Sequence, residues 1–248
     1  MLKPIEAARN AAGMILDFAL PPRCPGCGAV TAADQRFCLD CWQTLRFLGE
    51  PCCGRCGLPF EHEVEEGAIC GACLADPPPY DRMRAAVAYG DVARRVAVKL
   101  KYQGRPGVAA TLAHFMSRHV REEDTGAILA PVPLHRGRIW KRGYNQSALV
   151  ATALAKRTGL GVELGLLERR KATPPLEGLG RRERALAVRG AFGIDDRVKA
   201  LVRGRAVILV DDVFTTGATA GGCAKVLARA GAERVTVLCW ARVVRGGD

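Results

Sequence analysis

The sequence predicts an α/β fold for the larger part of the chain, a mostly parallel sheet, preceded by a small cysteine-rich module that metal holds together. Three observations carry this expectation. From residue 81 onward, apolar runs of strand length alternate with stretches of helical periodicity, the pattern of βαβ units. One run, residues 206–210, is continuously apolar, as a central parallel strand covered on both faces must be, and it leads into Asp211 and Asp212. Before residue 80, eight of the eleven cysteines form four Cys-x-x-Cys pairs.

Taken in order, Ile5, Ala8, Ala12, Ile15, Leu16 and Ala19 share one face of a helix expected over residues 1–20. Residues 21–76 then carry the pairs Cys24/Cys27, Cys38/Cys41, Cys53/Cys56 and Cys70/Cys73, enough for two zinc sites of four cysteines each. Gly28 and Gly57 follow the second cysteine of a pair, where a knuckle turns tightly around its metal. Grouping neighbours leaves gaps of ten residues between Cys27 and Cys38 and thirteen between Cys56 and Cys70, both suited to small ribbons. Interleaved pairing is the alternative. Four thiolates leave no coordination position for water, so these metals are expected to hold the fold and not to hydrolyse anything. Disulfides need an oxidising compartment, yet the apolar part of residues 1–20 contains Arg9 and Asp17 and no convincing cleavage site, so the expected location is cytoplasmic. A redox dithiol would use one pair and not four in series; an iron–sulfur cluster is the weaker metal alternative. Cys52 competes with Cys53, but only Cys53 gives the two-residue spacing, and His62 reads as a surface residue between Glu61 and Glu63.

Three prolines and Tyr80, residues 77–80, mark the boundary before a second domain over residues 81–248. That domain is expected to run as a strand near residues 85–89, a helix over 91–102 capped by Asp91, a turn at 103–107, and a helix ending near Val120. A strand at 127–130, a helix at 146–158, a short strand near 164–167, a strand ending at Asp211, a helix over 217–230 and a strand at 234–240 complete it. Cys223 and Cys239 read as small buried apolar side chains. No stretch suits a membrane span, so no membrane insertion is expected.

Charge divides along the same boundary. Residues 1–80 hold six of the 37 basic and ten of the 25 acidic residues, a net of −4, which leaves +16 for the rest. The excess clusters at residues 136–142, 169–171 and 181–189, and it suits a polyanion, either pyrophosphate or a nucleic-acid backbone. A solvated basic surface is the plain alternative.

Two segments carry the chemistry. Asp211 and Asp212 stand at a strand's carboxyl end, where open α/β sheets bind ligands, and the next helix offers free N–H groups to an anion. Thr215, Thr216 and Thr219 add hydroxyls, Gly217 lets the backbone approach closely, and Ala218 is small. The acids are read as holding ribose hydroxyls, directly or through Mg2+, and the threonine loop as gripping a 5-phosphate. A strand, turn and capped helix with no ligand is the bland alternative, and a Walker B strand the sharper one. The sequence has no Gly-x-x-x-x-Gly-Lys-Ser/Thr loop, and no Gly-x-Gly-x-x-Gly follows an expected strand, which argues against ATPase and dinucleotide readings. What remains closely resembles the PRPP-binding motif of type I phosphoribosyltransferases. The second segment, residues 131–146, also leaves a strand end and enters a helix. After Pro133 and Leu134 come His135, Arg136, Arg138, Lys141 and Arg142; four cations in one loop repel each other unless an anion or solvent separates them. His135 is either a base or a neutral hydrogen-bond donor. Asn145 caps the following helix, alone or together with a ligand contact.

The order of four zinc knuckles, Pro-Val-Pro-Leu-His-Arg, Arg-Gly-Tyr-Asn-Gln, Arg189-Gly190-Ala191-Phe192 and Ile-Leu-Val-Asp-Asp-Val-Phe-Thr-Thr-Gly-Ala-Thr resembles the ComF family over almost the whole chain. The resemblance implies a double zinc ribbon fused to a type I phosphoribosyltransferase fold, a pyrophosphate loop in residues 131–136 and a mobile loop in 169–189. It also implies a role in natural transformation and the handling of incoming single-stranded DNA, with a helicase-like partner; the acidic balance of residues 1–80 fits a protein partner. Family members often have Gln where Leu176 stands and Asn where Ala187 stands, amides that this chain lacks. Two readings follow. In one, an enzyme moves ribose 5-phosphate from PRPP to a base, with Asp211 and Asp212 orienting the ribose while Mg2+ and arginines stabilise departing pyrophosphate. In the other, the same pocket senses PRPP or a terminal phosphate. Its DNA-binding candidates are then Arg138, Lys141, Tyr144, Arg169, Arg170 and Lys171, with Tyr144, Phe192 and Trp140 as stacking aromatics.

Overall fold

The computed structural model describes residues 21–103, 106–173 and 180–244, so the expected helix over residues 1–20 and Leu176 lie outside the described residues. Strand-forming runs give β1 (Arg82–Ala88), β2 (Ile128–Pro131), β3 (Gly161–Val162), β4 (Leu167–Arg169), β5 (Phe192–Ile194), β6 (Ala206–Phe214) and β7 (Arg234–Arg242). Five of them pair in parallel in the order β1-β7-β6-β2-β3, while β4 and β5 form a separate antiparallel ribbon. The unbroken apolar run in β6 follows from its central place. Ile208 and Val210 enter one buried cluster, Val207 and Leu209 the other, so successive residues must all be apolar.

The first cluster lies beneath α3 (Asp91–Gln103), α4 (Pro106–Ser117) and α6 (Gln146–Thr158), with Leu100, Leu112, Leu154 and Trp240 fully buried. The second lies beneath α9 (Ala218–Arg229) and the β4–β5 ribbon. Topology then positions the site. After β2 the chain passes outward to β3 on one side, and after β6 it passes to β7 on the other, so the connections diverge between β2 and β6. A crevice opens at the carboxyl ends of two strands whose crossovers part in this way.

Several expected boundaries shift. β6 runs three residues beyond Asp211, because Val213 and Phe214 still pair with Ala241 and Arg242 of β7. The strand expected near residues 164–167 separates into β3 and β4, which belong to different sheets; Leu164 between them is exposed, and Glu163 Oε1 accepts from the Gly165 N–H. Asp91 lies inside the first turn of α3, and the Gly90 carbonyl accepts the first turn's bond from Arg94 N–H. The stretch expected as one basic loop contains the short helix α5 (Arg136–Arg142), made by its ends: His135 caps it, and Gly143 closes it in the left-handed conformation at φ 82°. The remaining short helices are α7 (Arg181–Ala187) and α8 (Asp196–Lys199).

The cysteine-rich module has helices of its own, α1 (Leu39–Thr44) and α2 (Gly71–Ala75). Its first ribbon joins the main core: Phe37 stacks on Trp240 with centroids 6.1 Å apart and meets Phe115 at 5.6 Å. Its second ribbon keeps a small cluster of its own, Cys53, Leu58, Cys70 and Cys73. Residues 77–80 lead from there into β1, with Tyr80 buried edge-on to Phe214 at 6.2 Å.

Candidate functional site

The eight cysteines gather as Cys24, Cys27, Cys38 and Cys41 and as Cys53, Cys56, Cys70 and Cys73, each set with its sulfurs within 4.8 Å of one another. Pairing is therefore between sequence neighbours, and the interleaved alternative falls. Cys27 and Cys38 Sγ are 3.5 Å apart and Cys56 and Cys70 Sγ 3.7 Å, too far for disulfides and close to the ~3.8 Å edge of a tetrahedron of thiolates about zinc. Gly28 and Gly57 turn the first knuckle of each ribbon at φ 89° and 63°; Cys38 and Cys70 are the N-caps of α1 and α2. The N–H groups of Cys56 and Cys70 both point at Cys53 Sγ, at 3.5 and 3.3 Å, as donors to a thiolate do. Two tetrads of sulfur with no water position fit two structural zinc ions. Cys52 is outside the tetrad, its thiol donating to Glu50 Oε2 at 3.2 Å.

At the β6 exit the two carboxylates have different surroundings. Asp211 Oδ1 accepts from Ser147 Oγ at 3.1 Å and from its neighbour's N–H at 2.9 Å. Burial first, then the adjacent Asp212 carboxylate, push the Asp211 carboxyl above the usual carboxylate range. Asp212 is buried, with the Lys101 ammonium 2.8 Å from its Oδ2. Burial pulls that ammonium's pKa down, but Asp212 and Asp211 outweigh it and hold it above the usual lysine range. Beyond them, Asp211, Thr215, Thr216, Gly217, Ala218 and Thr219 line one recess. Gly217 stands at the N-cap of α9 at φ 76° with no side chain capping the helix, so its first N–H groups face the recess unclaimed by a cap. A Cβ there would lie 2.8 Å from the Phe214 ring, which explains the glycine twice over. The buried Thr216 Oγ1 has no partner among the described residues, an orphan of the kind a ligand oxygen satisfies.

The β2 exit faces this recess. Asn145 uses both ends of its amide: Oδ1 accepts from Ser147 N–H at 3.0 Å and Nδ2 donates to the Val132 carbonyl at 3.0 Å. It is a cap that also ties the β2 exit to α6, and it places Ser147 against Asp211. Pro133 is buried and Leu134 half-buried; His135 Nδ1 accepts from Gly137 N–H at 3.2 Å. Arg136 is exposed, while the Arg142 guanidinium sits 5.6 Å over the Tyr102 ring and donates to Gln146. From the far side, Arg184 of α7 donates to Thr215 Oγ1 at 2.6 Å, so the arginine-rich stretch reaches the threonine loop.

The expected DNA-facing residues scatter. Lys141 and Lys171 are exposed, and Arg138 donates to the Thr173 carbonyl at 3.1 Å. Arg169 is only 8% exposed, donating to Thr173 and lying over Phe192, so neither it nor Phe192 is on an open surface. Arg170 pairs with Glu168 at 2.6 Å, and Tyr144 ties its hydroxyl to the Leu100 carbonyl at 2.8 Å. Lys101 and Ser147 escaped sequence reasoning, while Arg184 lies in the basic stretch of residues 181–189 that the sequence singled out without naming the residue. For Lys101 the available signal was its place one turn after Ala97 and beside Leu100, on the buried stripe of α3.

Comparison with known proteins adds the following. The double zinc ribbon domain family matches residues 15–74. Over 198 residues the chain is 34% identical to the DNA utilization protein YhgH of Salmonella typhimurium, covering 77% of this chain and 84% of that one. It is 30% identical over 227 residues to competence protein F of Haemophilus influenzae, covering 89% and 96%. With competence protein ComFC of Bacillus subtilis it shares 26% over 209 residues, 80% of each. Among solved structures, a glutamine PRPP amidotransferase from B. subtilis is 21% identical over 58% of this chain and 30% of that one, with a TM-score of 0.39. A phosphoribosylpyrophosphate synthetase from Mycobacterium smegmatis is 17% identical over 54% and 33%, with a TM-score of 0.32. No described helix is long and apolar enough to cross a membrane.

Proposed function

The chain belongs to the family of competence protein F, YhgH and ComFC, and from that premise we propose that its crevice between β2 and β6 takes PRPP or a related ribose 5-phosphate in a protein that serves the uptake or use of incoming single-stranded DNA. One observation carries the ligand: an uncapped helix N-terminus and the orphaned Thr216 hydroxyl adjoin Asp211, which Ser147 orients from the other strand exit. In this reading Thr215, Thr216, Gly217, Ala218 and Thr219 hold the 5-phosphate, Asp211 accepts from ribose hydroxyls, and His135, Arg136 and Arg142 face the pyrophosphate. Asp212 keeps Lys101 in place. Mg2+ fits the hard oxygens of Asp211 and the ligand, and when bound it supplies positive charge to the pyrophosphate. The names of the relatives support the DNA side of the proposal, and the net charge of +16 on residues 81–248 suits a polyanion.

Calorimetric titration of the zinc-loaded protein with PRPP and Mg2+, run beside a pyrophosphate-release assay with a panel of free bases, tests this. Binding that Asp211→Asn weakens at least about tenfold, in a variant that still melts cooperatively, is the expected result. Base-dependent release would establish a phosphoribosyltransferase; absence of binding would overturn the ligand.

A further inference from the structure

The threonine loop at the end of β6 turns through Gly217 in the left-handed conformation, and no side chain caps the helix that follows. Such a turn keeps its N–H groups aimed at one point only if its surroundings hold the backbone still. Besides Arg184 at Thr215, those surroundings come from the second ribbon's side of the molecule. The Phe214 ring lies so close to Gly217 that a Cβ there would stand 2.8 Å from it, and the Tyr80 hydroxyl is 3.6 Å from the same position. Tyr80 meets Phe214 edge-on, and both side chains are buried. One turn into α9, a Cβ on Gly221 would be 3.3 Å from Pro79. Pro79 and Tyr80 belong to the linker between Cys73, the ribbon's last ligand, and β1.

The ribbon's metal ligands join the same group of side chains. Arg242 donates to the carbonyl of Cys56, a member of the second tetrad, while its guanidinium stands 5.8 Å over the Phe214 ring. One arginine thus spans from a metal ligand's backbone to the ring that rests on Gly217. Val244 packs on the ribbon's own cluster and also on the cluster that holds Phe214 and Tyr80. The first ribbon packs instead into the other cluster, with Trp240. Four thiolates stay gathered only around a cation, so loss of the second zinc loosens the knuckle whose carbonyl Arg242 holds. We propose that the second zinc ribbon positions the phosphate-gripping loop: its metal fixes Arg242 and Tyr80, these hold Phe214 against Gly217, and zinc occupancy is thereby coupled to ligand affinity. Arg242 and Tyr80 are positioning residues, and neither lines the recess. The coupling to affinity rests on the reading of residues 215–219 as the phosphate grip.

The test takes the full chain loaded with zinc and reads two quantities, hydrogen exchange of the segment 212–222 and calorimetric affinity for PRPP with Mg2+. Cys53→Ser, at a temperature where it is folded, is expected to speed exchange of that segment about tenfold and to weaken PRPP binding about tenfold. Arg242→Met, which leaves both tetrads complete, should reproduce most of both effects, and Arg242→Lys should recover part of them. Tyr80→Phe, which removes only the hydroxyl beside Gly217, is expected to cost about threefold in affinity. Residues 128–131 of β2 should exchange as in the parent; acceleration there equal to that in the loop would mean general loosening of the domain and overturn the positioning role. Folded variants whose loop exchange and affinity match the parent overturn it as well. A parent chain that binds no PRPP overturns the ligand reading, while the exchange measurement still decides whether the ribbon holds the loop.

Discussion

The first ribbon, from Cys24 to Cys41, and the second, from Cys53 to Cys73, share a glycine-turned knuckle and a helix that starts just after a cysteine, yet they meet the α/β body by different physics. The first is joined mainly by apolar packing, with Lys99 adding hydrogen bonds: Phe37, Cys41 and Leu45 belong to the same cluster as Trp240 and Leu100, and a Cβ on Gly26 would lie 2.7 Å from Cys41 Sγ. The second is joined by hydrogen bonds. Met83 N–H donates to the Arg55 carbonyl at 2.6 Å, Arg84 donates to the carbonyls of Cys53 and Gly54 at 3.3 and 3.1 Å, and Arg242 donates to that of Cys56. One zinc module has thus become part of the domain's core, and the other is a separate small core strapped to it.

Losing a metal is expected to have unequal consequences, and this is the largest effect. Cys41→Ser removes a ligand and opens the cluster around Phe37 and Trp240, so the melting temperature should fall by about 10 °C or more, with a red shift of the buried Trp240 emission. Cys53→Ser should release one of two zinc ions and lower the melting point by about half as much, because its cluster is local. Equal shifts in scanning calorimetry would break the comparison.

The ribbons also differ in their route to the ligand crevice, which sharpens the contrast at the site. Lys99 of α3 donates to the carbonyls of Pro25 and Gly26 in the first ribbon at 2.9 and 3.0 Å, and two residues later Lys101 pairs with Asp212. Removing the lysine of a largely buried pair leaves a carboxylate without its counter-charge; with the lysine side chain 31% exposed, Lys101→Met is expected to cost about 1–3 kcal/mol in urea unfolding. It should also weaken PRPP binding about tenfold, with Lys101→Arg recovering part of both. Tighter binding of PRPP with Mg2+ by the methionine variant would show that the ammonium competes with the cation.

Much of this was legible in the chain. The cysteine spacing located both metal sites, and the apolar run into Asp211 located the central strand, since both signals are local. What escaped depends on elements distant in sequence. Lys101 reads as one more helix cation until α3 is laid against β6. Asp211 and Asp212 read as equivalent until one is found beside Ser147 and the other beside Lys101. Arg169 read as a surface cation because nothing in its neighbourhood shows that β4 and β5 fold it over Phe192. The helix in the basic loop was missed because caps form it, not an apolar face.

The smallest expected effect concerns the seam between the ribbons. Arg118 donates to the carbonyls of Leu48 and Ala86, each at 2.7 Å, just before the second ribbon begins, and its Nε donates to His119 Nε2 at 3.3 Å. Burial first, then Arg118, Arg84 and Arg82, push the His119 imidazole down to about 4. The unfolded chain takes up this proton near the ordinary histidine value of about 6.5, whereas the folded protein refuses it until about 4. The contribution to stability is therefore complete above about pH 6.5 and is lost as the pH falls through that window, by about 1–2 kcal/mol once partial exposure is allowed for. His119→Gln keeps an acceptor for Arg118 and removes the titration. Urea midpoints of the variant should fall less steeply between pH 6.5 and 4 than those of the parent. Parallel lines would place the acid sensitivity elsewhere, and a seam insensitive to that proton would mean that Arg118 holds the ribbons through its two carbonyl bonds alone.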